Sequence, residues 1–263
     1  MFATDFLFDN QRASDLGLMI CSFNGEMETA SGGEIEYNVV KTPNRDKFTF
    51  YGSQFNSPIE WNFSICKNPC KNENLYFNQD EESMVYKWLI RTDGYKLLQF
   101  DQPGYEDIFY NVYINLIPHQ ISGQTVGFDL TVISDCAYGF TDIIKKKATI
   151  SNSDVLQLNI HSDINTYILP KVKIKGRGNF AINNYRDKER QISILDKAMD
   201  FKNVSLDITM DSDADIVTGL SNPSNFNWHF MRLIDGMNFI CADSTSNNIE
   251  IELEYREPRL VRI

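Results

Sequence analysis

The sequence has little positive charge, no long apolar run and few cysteines, and each shortage excludes a class of protein. Lys and Arg number 25 against 36 Asp and Glu, so the net charge is −11 and no basic patch is available to grip phosphates. No apolar run approaches the roughly 18 residues that a membrane-spanning helix needs. We therefore expect neither sequence-specific nucleic-acid binding nor membrane insertion.

The N-terminus and the cysteines indicate a protein that is made in a cytoplasm. The opening stretch MFATDFLFDNQR has neither the basic nor the apolar region of a secretory signal peptide. The five cysteines are odd in number and widely spaced, unlike a secreted disulfide framework.

Aromatic residues and period-2 alternation are abundant and predict strands. The chain has 18 Phe and 12 Tyr, which favour half-buried pleated surfaces. Apolar residues alternate through 59–65 and 108–116, then ISGQ reverses the chain into the alternating stretch 126–132. This pattern predicts a long hairpin with one buried face.

One segment departs from the alternation and predicts a helix at about 80–92. Its apolar residues recur at helical spacing, and Asn78 or Asp80 can cap its start while Gly94 can end it. The apolar positions are Met84, Val85, Trp88 and Leu89.

Composition changes near the middle of the chain and predicts a two-part organisation. Residues 143–154 are basic and then rich in Ser, Asn and Thr, which indicates a linker. Alternation resumes over 155–255, where short strands separated by Gly, Asn and Asp suggest a β-sandwich. Residues 256–263 form a short basic tail.

Two stretches resemble ligand motifs without meeting their requirements. Gly176, Gly178 and Ala181 with Asp196 imitate a dinucleotide fingerprint, but the following residues lack a crossover-helix pattern, so we predict an antiparallel strand entering a glycine turn. DSDADIVTG offers Asp211, Asp213 and Asp215 as calcium ligands, but an EF-hand needs Gly and an acid at positions held by Ile216 and Asn222. A looser oxygen site stays open beside a solvated turn.

A row of acids and a row of lysines suggest paired strands rather than a glycosidase. Glu250, Glu252 and Glu254 alternate with apolar residues on one strand, and Lys171, Lys173 and Lys175 do the same on another. We predict that these strands lie side by side with cross-strand Lys–Glu pairs.

Two cysteine stretches raise the question of thiol chemistry. CKNPC places Cys66 and Cys70 three residues apart, which leaves open a loop disulfide formed after release into an oxidising medium or, less readily, a metal site. In SDCAYGF, strand parity turns Cys136 inward and Asp135 outward, with Tyr138 and Phe140 closing the end of the N-terminal core. We therefore expect Cys136 to be inert, with a raised pKa, and not a nucleophile.

Three stretches together resemble the siphophage tail component family of distal tail proteins. They are the opening LGLMICSFNG with GGEIEYNVVKTPNRDKFTFYGSQFNSPIEWNFSI, the helix and hairpin that end in FDLTVISDCAYGF, and the C-terminal LPKVKIKGRGNFAI, NVSLDITM and LIDGMNFI. The chain departs from that family at Ala137, where many relatives have proline, and at Asp235, which precedes Gly236 in place of the commoner proline.

The resemblance implies an architecture and an assembly role. The fold would be mainly β: a sandwich or barrel-like ring-forming domain at 1–142, a linker at 143–154 and a galectin-like sandwich at 155–255. Six copies would form a ring at the virion tail tip. The ring would join the tail tube protein to the tail hub and to receptor-binding proteins, while DNA passes through it. A carbohydrate-binding module is the alternative. We expect no enzyme, with no catalytic, cofactor-binding or metal-ligating residues.

Overall fold

The computed structural model describes residues 3–23, 29–151, 154–187, 191–194, 205–220, 222–244 and 248–260. The chain forms two compact units, the first extending to Phe140 and the second running over Thr141–Leu260. Antiparallel strands dominate, and one α-helix occurs in the described part of the chain. The prediction of a mainly β protein with a single helix is confirmed.

The first unit is built on one long antiparallel sheet with the order β2-β1-β8-β9-β10-β7-β3. Two further strands, β4 and β11, pair with β7 and β9, respectively, and β5 pairs with β6 in a separate two-stranded sheet. The strands are β1 Asp5–Phe8, β2 Gln11–Arg12, β3 Leu18–Cys21, β4 Thr29–Ser31, β5 Ile35–Lys41, β6 Phe48–Phe55, β7 Glu60–Lys67, β8 Lys96–Asp101, β9 Phe109–Ile121, β10 Gln124–Ser134 and β11 Gly139–Phe140.

This sheet curls until distant strands meet, which makes the unit barrel-like. Three strands separate β1 from β7 in the sheet order, yet the rings of Phe6 and Phe63 meet edge to face with centroids 5.6 Å apart. Trp61 of β7 similarly lies 5.5 Å from Phe100 of β8. The right-handed twist of neighbouring strands accumulates across a wide sheet and brings these inner-face aromatics together.

The predicted long hairpin is present as β9 and β10. Ser122 and Gly123 both have positive φ, 53° and 79°, and form the two-residue turn. The inner face of β9 buries Tyr110, Val112 and Ile114, as the alternation predicts.

The helix α1, Gln79–Leu89, starts at the predicted cap. The Asn78 side chain accepts the N–H of Glu81, and the Glu81 carboxylate accepts the N–H of Asn78. Val85 and Leu89 are fully buried, and Trp88 donates its indole N–H to the carbonyl of Phe8 at 3.1 Å.

The helix ends three residues earlier than its pattern predicts. Ile90 is extended, with φ −85° and ψ 112°, and Gly94 lies in the turn that follows instead of capping the helix. Arg91 is drawn into an ion pair with Asp9, 2.6 Å away, which the local pattern does not reveal. Met84, counted with the apolar face, is 44% exposed.

The second unit is a β-sandwich, in agreement with the predicted galectin-like class. Its sheets have the orders β12-β20-β14-β17-β18 and β13-β19-β15-β16. Inner-face residues such as Ile174 and Leu253 from one sheet share a core with Ile182 and Ile240 from the other. The strands of the two sheets are β12 Ile144–Ser151, β13 Val155–Ile160, β14 Lys171–Arg177, β15 Phe180–Asn184, β16 Gln191–Ile194, β17 Ser205–Asp211, β18 Ile216–Thr218, β19 Gly236–Ser244 and β20 Asn248–Tyr255. The two-residue strand β21, Pro258–Arg259, follows them in the chain and belongs to neither sheet.

The segment expected as a linker, 143–154, is largely a strand, and that expectation is wrong. β12 pairs along its whole length with β20, from Ile144 opposite Tyr255 to Ser151 opposite Asn248. The segment looks like a linker because its lysines point outward and its apolar positions are few. Only the partner strand supplies the carboxylates that make a lysine-rich strand favourable.

The C-terminal tail follows the sandwich as far as it is described. Arg259 donates to the carbonyl of His161 and pairs with Glu257 at 2.8 Å. Residues 261–263 lie outside the described residues. Within the described part of the chain, no helix is long and apolar enough to cross a membrane.

Candidate functional site

The hairpin of β5 and β6 exposes a dense group of apolar side chains. Its strands pair with each other and with no other strand in the described residues. Phe48, Phe50 and Tyr51 are 62%, 59% and 66% exposed. We call the exposed apolar set the hairpin surface: Ile35, Tyr37, Val39, Val40, Phe48, Phe50 and Tyr51. A two-stranded hairpin is marginally stable in water and large apolar patches mark contact sites, so this surface needs a partner.

The tip of the same hairpin is basic in an acidic protein. Residues 41–47 carry Lys41, Arg45 and Lys47 against Asp46, a net charge of 3 − 1 = +2. Because the whole chain carries −11, the remainder carries −11 − 2 = −13. The tip therefore carries the opposite sign of net charge from the rest of the chain.

Cys136 lies in an inert environment, as the sequence predicts. Its thiol is half-buried and donates to the carbonyl of Tyr138 at 3.2 Å. Burial raises its pKa to about 12. Asp135 is exposed and accepts from the amide of Asn111 at 2.8 Å, so it orients no base. The Asp135 carboxylate raises the pKa of this thiol further, so the thiol stays protonated and is not activated as a nucleophile.

Tyr138 and Phe140 do not close the end of the N-terminal core as expected, and the buried Ser134 fixes that end instead. Tyr138 and Phe140 are half-buried, pack on each other with centroids 5.3 Å apart and lie outside the core. Ser134 is only 3% exposed, and its hydroxyl accepts the N–H of Ile59 at 2.8 Å. Ser134 therefore anchors the end of β10 to the start of β7. The sequence does not reveal this contact, because nothing local marks Ser134 as the partner of Ile59.

A polar group on the outer face of the first sheet resembles a hydrolase triad but has the wrong connectivity. Asp129 lies between two partners: Ser64 donates to it at 2.5 Å, and His119 Nδ1 lies 3.3 Å from its other oxygen. In a Ser-His-Asp triad the histidine must lie between the acid and the nucleophile. Here the acid occupies the middle position and accepts from Ser64 itself, which is not the connectivity of that triad.

Two thiols meet on this same outer face. Cys21 lies opposite Ser64 and Cys66 lies opposite Met19, which puts the thiols on one face of neighbouring strands. The hydrogen bond between them raises the pKa of Cys21 and lowers that of Cys66 to about 7. Cys70 is exposed in the turn beyond β7. The spacing in CKNPC therefore suggests Cys70 as the partner of Cys66, whereas the structure places Cys21 on the strand beside it.

The predicted Lys–Glu pairing is confirmed and extends to a third strand. β14 lies beside β20, with Lys173 3.0 Å from Glu254 and 3.6 Å from Glu252. On the other side of β20, Lys147 lies 2.7 Å from Glu252 and Lys145 3.2 Å from Glu254. Hydrogen bonds from Lys147 and Lys173 lower the pKa values of Glu252 and Glu254, respectively. Carboxylates held ionised on one strand face do not form the acid–base pair of a glycosidase.

The two ligand-like motifs fold as turns. β14 and β15 lie in different sheets, and Gly178, with φ 74°, makes the turn between them. Asp196 lies outside the described residues. Asp211 ends β17 and accepts the N–H of Ala214 at 3.2 Å, as in a local turn. Among the described residues, no group of three or more His, Cys, Asp or Glu side chains could hold a metal ion.

A buried asparagine pair explains the LIDGMN stretch. Asn238 is fully buried. It accepts from the amide of Asn184 at 2.8 Å and from the N–H of Ile234 at 3.0 Å, and it donates to the carbonyls of Ile234 and Gly236 at 2.6 and 2.9 Å. Gly236 has φ 83°, which favours glycine. The side chain of Asn238 thus closes the turn that leads into β19.

The comparisons with known proteins agree with this architecture. A search of curated proteins gives no match. The crystal structure of the SPP1 Dit (gp 19.1) protein, described as a paradigm of the hub adsorption apparatus in phages that infect Gram-positive bacteria, is similar in fold. The likeness covers 96% of this chain and 98% of that one, with a TM-score of 0.57 and 9% identity.

Family models match both units. The model for a phage tail protein N-terminal domain matches residues 1–136, and the model for a phage tail C-terminal domain matches residues 138–255. The chain therefore belongs to this family of phage tail proteins.

Proposed function

We propose that the chain is a structural tail-tip protein whose N-terminal unit forms a hexameric ring. The ring joins the tail tube to the tail hub and the receptor-binding proteins. DNA passes through the ring, whose acidic chains discourage it from binding. The protein catalyses no reaction. The hub adsorption description of the SPP1 Dit protein supports this assignment through the shared fold.

The hairpin surface is the observation that carries the proposal. It belongs to the ring-forming unit, and its apolar side chains are left exposed in the single chain. Burial of apolar area stabilises a contact by about 25 cal/mol per Å². A second copy of the chain is the occupant that we propose, because the basic tip complements the −13 of the remaining residues.

Such a contact joins different surfaces of two copies, which is the kind of interface that can close into a ring. The hairpin of one copy lies against another part of its neighbour, which is a heterologous interface. Heterologous interfaces give closed rings when the rotation between copies returns to its start, and filaments when it does not.

The test is to measure the mass of the purified full-length chain and image it by negative-stain electron microscopy. We expect particles of six chain masses that appear as rings. Phe48→Ser combined with Phe50→Ser should leave circular dichroism unchanged and shift the chain to monomer, because both side chains are exposed before assembly. The matched control is Ile216→Ser in the second unit, which is 54% exposed and should leave the rings intact.

Three results contradict the proposal. They are rings with a copy number other than six, a chain that no concentration drives beyond monomer, and an Ile216→Ser variant that dissociates as readily as the hairpin variant.

A second candidate, carbohydrate binding, is favoured by one observation in the sandwich. Trp228 is 54% exposed and has φ 55°, a strained backbone for a bulky residue. Its ring packs edge-on against buried Phe226, with centroids 5.5 Å apart. A glycan array should separate the candidates: binding by a monomer that Trp228→Ala abolishes favours the carbohydrate-binding module over the ring.

A further inference from the structure

The two thiols on the outer face of the first sheet lie where a cross-strand bond can form. Cys21 ends β3, the last strand in the sheet order, and Cys66 lies near the end of β7 beside it. Both are half-buried, so small reagents can reach them. The strand register places both side chains on the same face of the sheet, on neighbouring strands and two positions apart.

We propose that Cys21 and Cys66 form an intrachain disulfide when the protein meets an oxidising medium. The oxidant is a small disulfide such as oxidised glutathione. The Cys66 thiolate attacks one sulfur of the oxidant and releases one glutathione thiolate. Cys21, after losing its proton, attacks Cys66 and releases the second. Two S–H bonds break and one protein S–S bond forms, while two electrons and two protons reduce the oxidant to two thiols.

The geometry permits this bond with a small adjustment of the edge strand. The two residues are diagonal neighbours, because Cys21 lies opposite Ser64 and Cys66 opposite Met19. Diagonal Cα atoms lie about 7–8 Å apart, slightly beyond the usual range for a disulfide. β3 ends the sheet order, so it can shift along β7 without disturbing a second neighbour in that order.

The environments of the other cysteines favour this pair. Thiolate is the reactive form, and the pKa of about 7 for Cys66 provides it at neutral pH. Cys136 has a pKa raised to about 12 and is committed to the carbonyl of Tyr138. Cys241 lies in the other unit, where its thiol donates to Asn183. Cys70 is exposed beyond the end of β7.

The bond would fix the segment that carries the hairpin surface. The hairpin, β5 and β6, lies between Cys21 and Cys66 in the chain, so the disulfide closes a loop around it. Such a bond restricts the unfolded chain and holds β3 on β7. A tail particle that leaves a reducing cytoplasm would acquire this restraint outside the cell. The inference does not depend on ring formation, since both cysteines lie in one chain.

The test is to oxidise the native, reduced, full-length chain with oxidised glutathione at pH 8 and map its thiols by mass spectrometry. After denaturation, N-ethylmaleimide should block three of the five cysteines instead of all five. Proteolysis should give one linked peptide pair that contains Cys21 and Cys66. The oxidised chain should melt at a higher temperature than the reduced chain, and a reductant should reverse the shift.

Matched serine variants make the assignment specific. The Cys70→Ser variant should still lose two of its four free thiols on oxidation. The Cys66→Ser variant should keep all four of its free thiols. A linked Cys66–Cys70 peptide, a glutathione adduct that persists on Cys66, or five blocked thiols in the oxidised wild-type chain would each overturn the proposal. These readouts on the wild-type chain hold even if a variant folds poorly.

Discussion

Replacing Asn238 should destabilise the second unit more than almost any other single polar substitution, because four hydrogen bonds meet at one fully buried side chain. Each such bond contributes about 1 kcal/mol net. Asn238→Ala removes all four, while Asn184 keeps its bond to the carbonyl of Arg232 at 3.0 Å. We therefore expect a loss of about 3–4 kcal/mol from the unfolding free energy of the sandwich.

Asn238→Asp isolates the donor half of this network. A carboxylate can still accept from Asn184 and Ile234, but it cannot donate to the two carbonyls, and it carries a buried charge. The loss at neutral pH should be at least as large as for alanine. Burial raises the folded-state pKa of the new acid, so the folded state binds the proton more tightly than the unfolded state. Stability should therefore recover as the pH falls.

The assay is hydrogen exchange followed by mass spectrometry on the full-length chain, which reports the two units separately. Peptides from 155–260 should exchange about 100- to 1,000-fold faster in Asn238→Ala, since 1.4 kcal/mol is a factor of ten. Peptides from 29–140 serve as the internal control and should be unchanged. The matched variant is Asn159→Ala, an exposed amide 3.1 Å from the His161 ring, which should cost less than about 0.5 kcal/mol.

The reasoning fails if Asn238→Ala costs less than about 1 kcal/mol, since the network would then contribute no more than one ordinary hydrogen bond. It also fails if Asn159→Ala matches it, because burial would not be the cause.

Three further predictions follow from other contacts. Ser134→Ala should lower the unfolding free energy of the first unit by about 1–3 kcal/mol, because the buried N–H of Ile59 loses its hydrogen bond to the serine hydroxyl. Urea titration measures this change, and a loss below about 0.5 kcal/mol would contradict the role of Ser134 as an anchor. Cys136→Ala should change that free energy by no more than about 1–2 kcal/mol and remove no activity, whereas loss of a measurable hydrolysis would reopen the question of an enzyme. The sandwich should lose stability in acid, because the pKa values of Glu252 and Glu254 are lower in the folded chain than the ordinary value of 4.5. The ionised carboxylates therefore stabilise the fold above pH 4.5, and their contribution declines as the pH falls below that value. Urea midpoints from pH 6 to pH 3 should show this decline, and Glu252→Gln should flatten it; equal slopes in both proteins would refute the role of the pairs.

Local patterns were sufficient where the cause is local. The cap at Asn78 depends on residues three apart, and the turn at Ser122 and Gly123 on two residues between alternating strands. Alternation also placed Cys136 in a partly buried environment with a raised pKa. The Lys–Glu prediction succeeded across a long separation because two alternating strands that bury their apolar faces in one core must place their charged faces on the same side of the sheet.

Local patterns failed where the partner was distant. β12 was taken for a linker because its carboxylate partners come about 100 residues later in the chain, and the extent of α1 was overestimated because Arg91 pairs with Asp9. The contact of Cys66 with Cys21 depends on which strand lies beside β7, which no spacing within CKNPC encodes.

The sequence by itself determined the β class, the single helix, the long hairpin and the polar faces of the strands, because side-chain periodicity fixes which face is buried. Tertiary structure alone decided which side chains meet across strands. It brought Cys21 beside Cys66 and Asn184 to Asn238, and among the described residues it pairs the β5–β6 hairpin with no other strand. The physical reason is that hydrogen bonds and thiol contacts act over a few ångströms, while the order of strands in a sheet is set by the burial of the whole core.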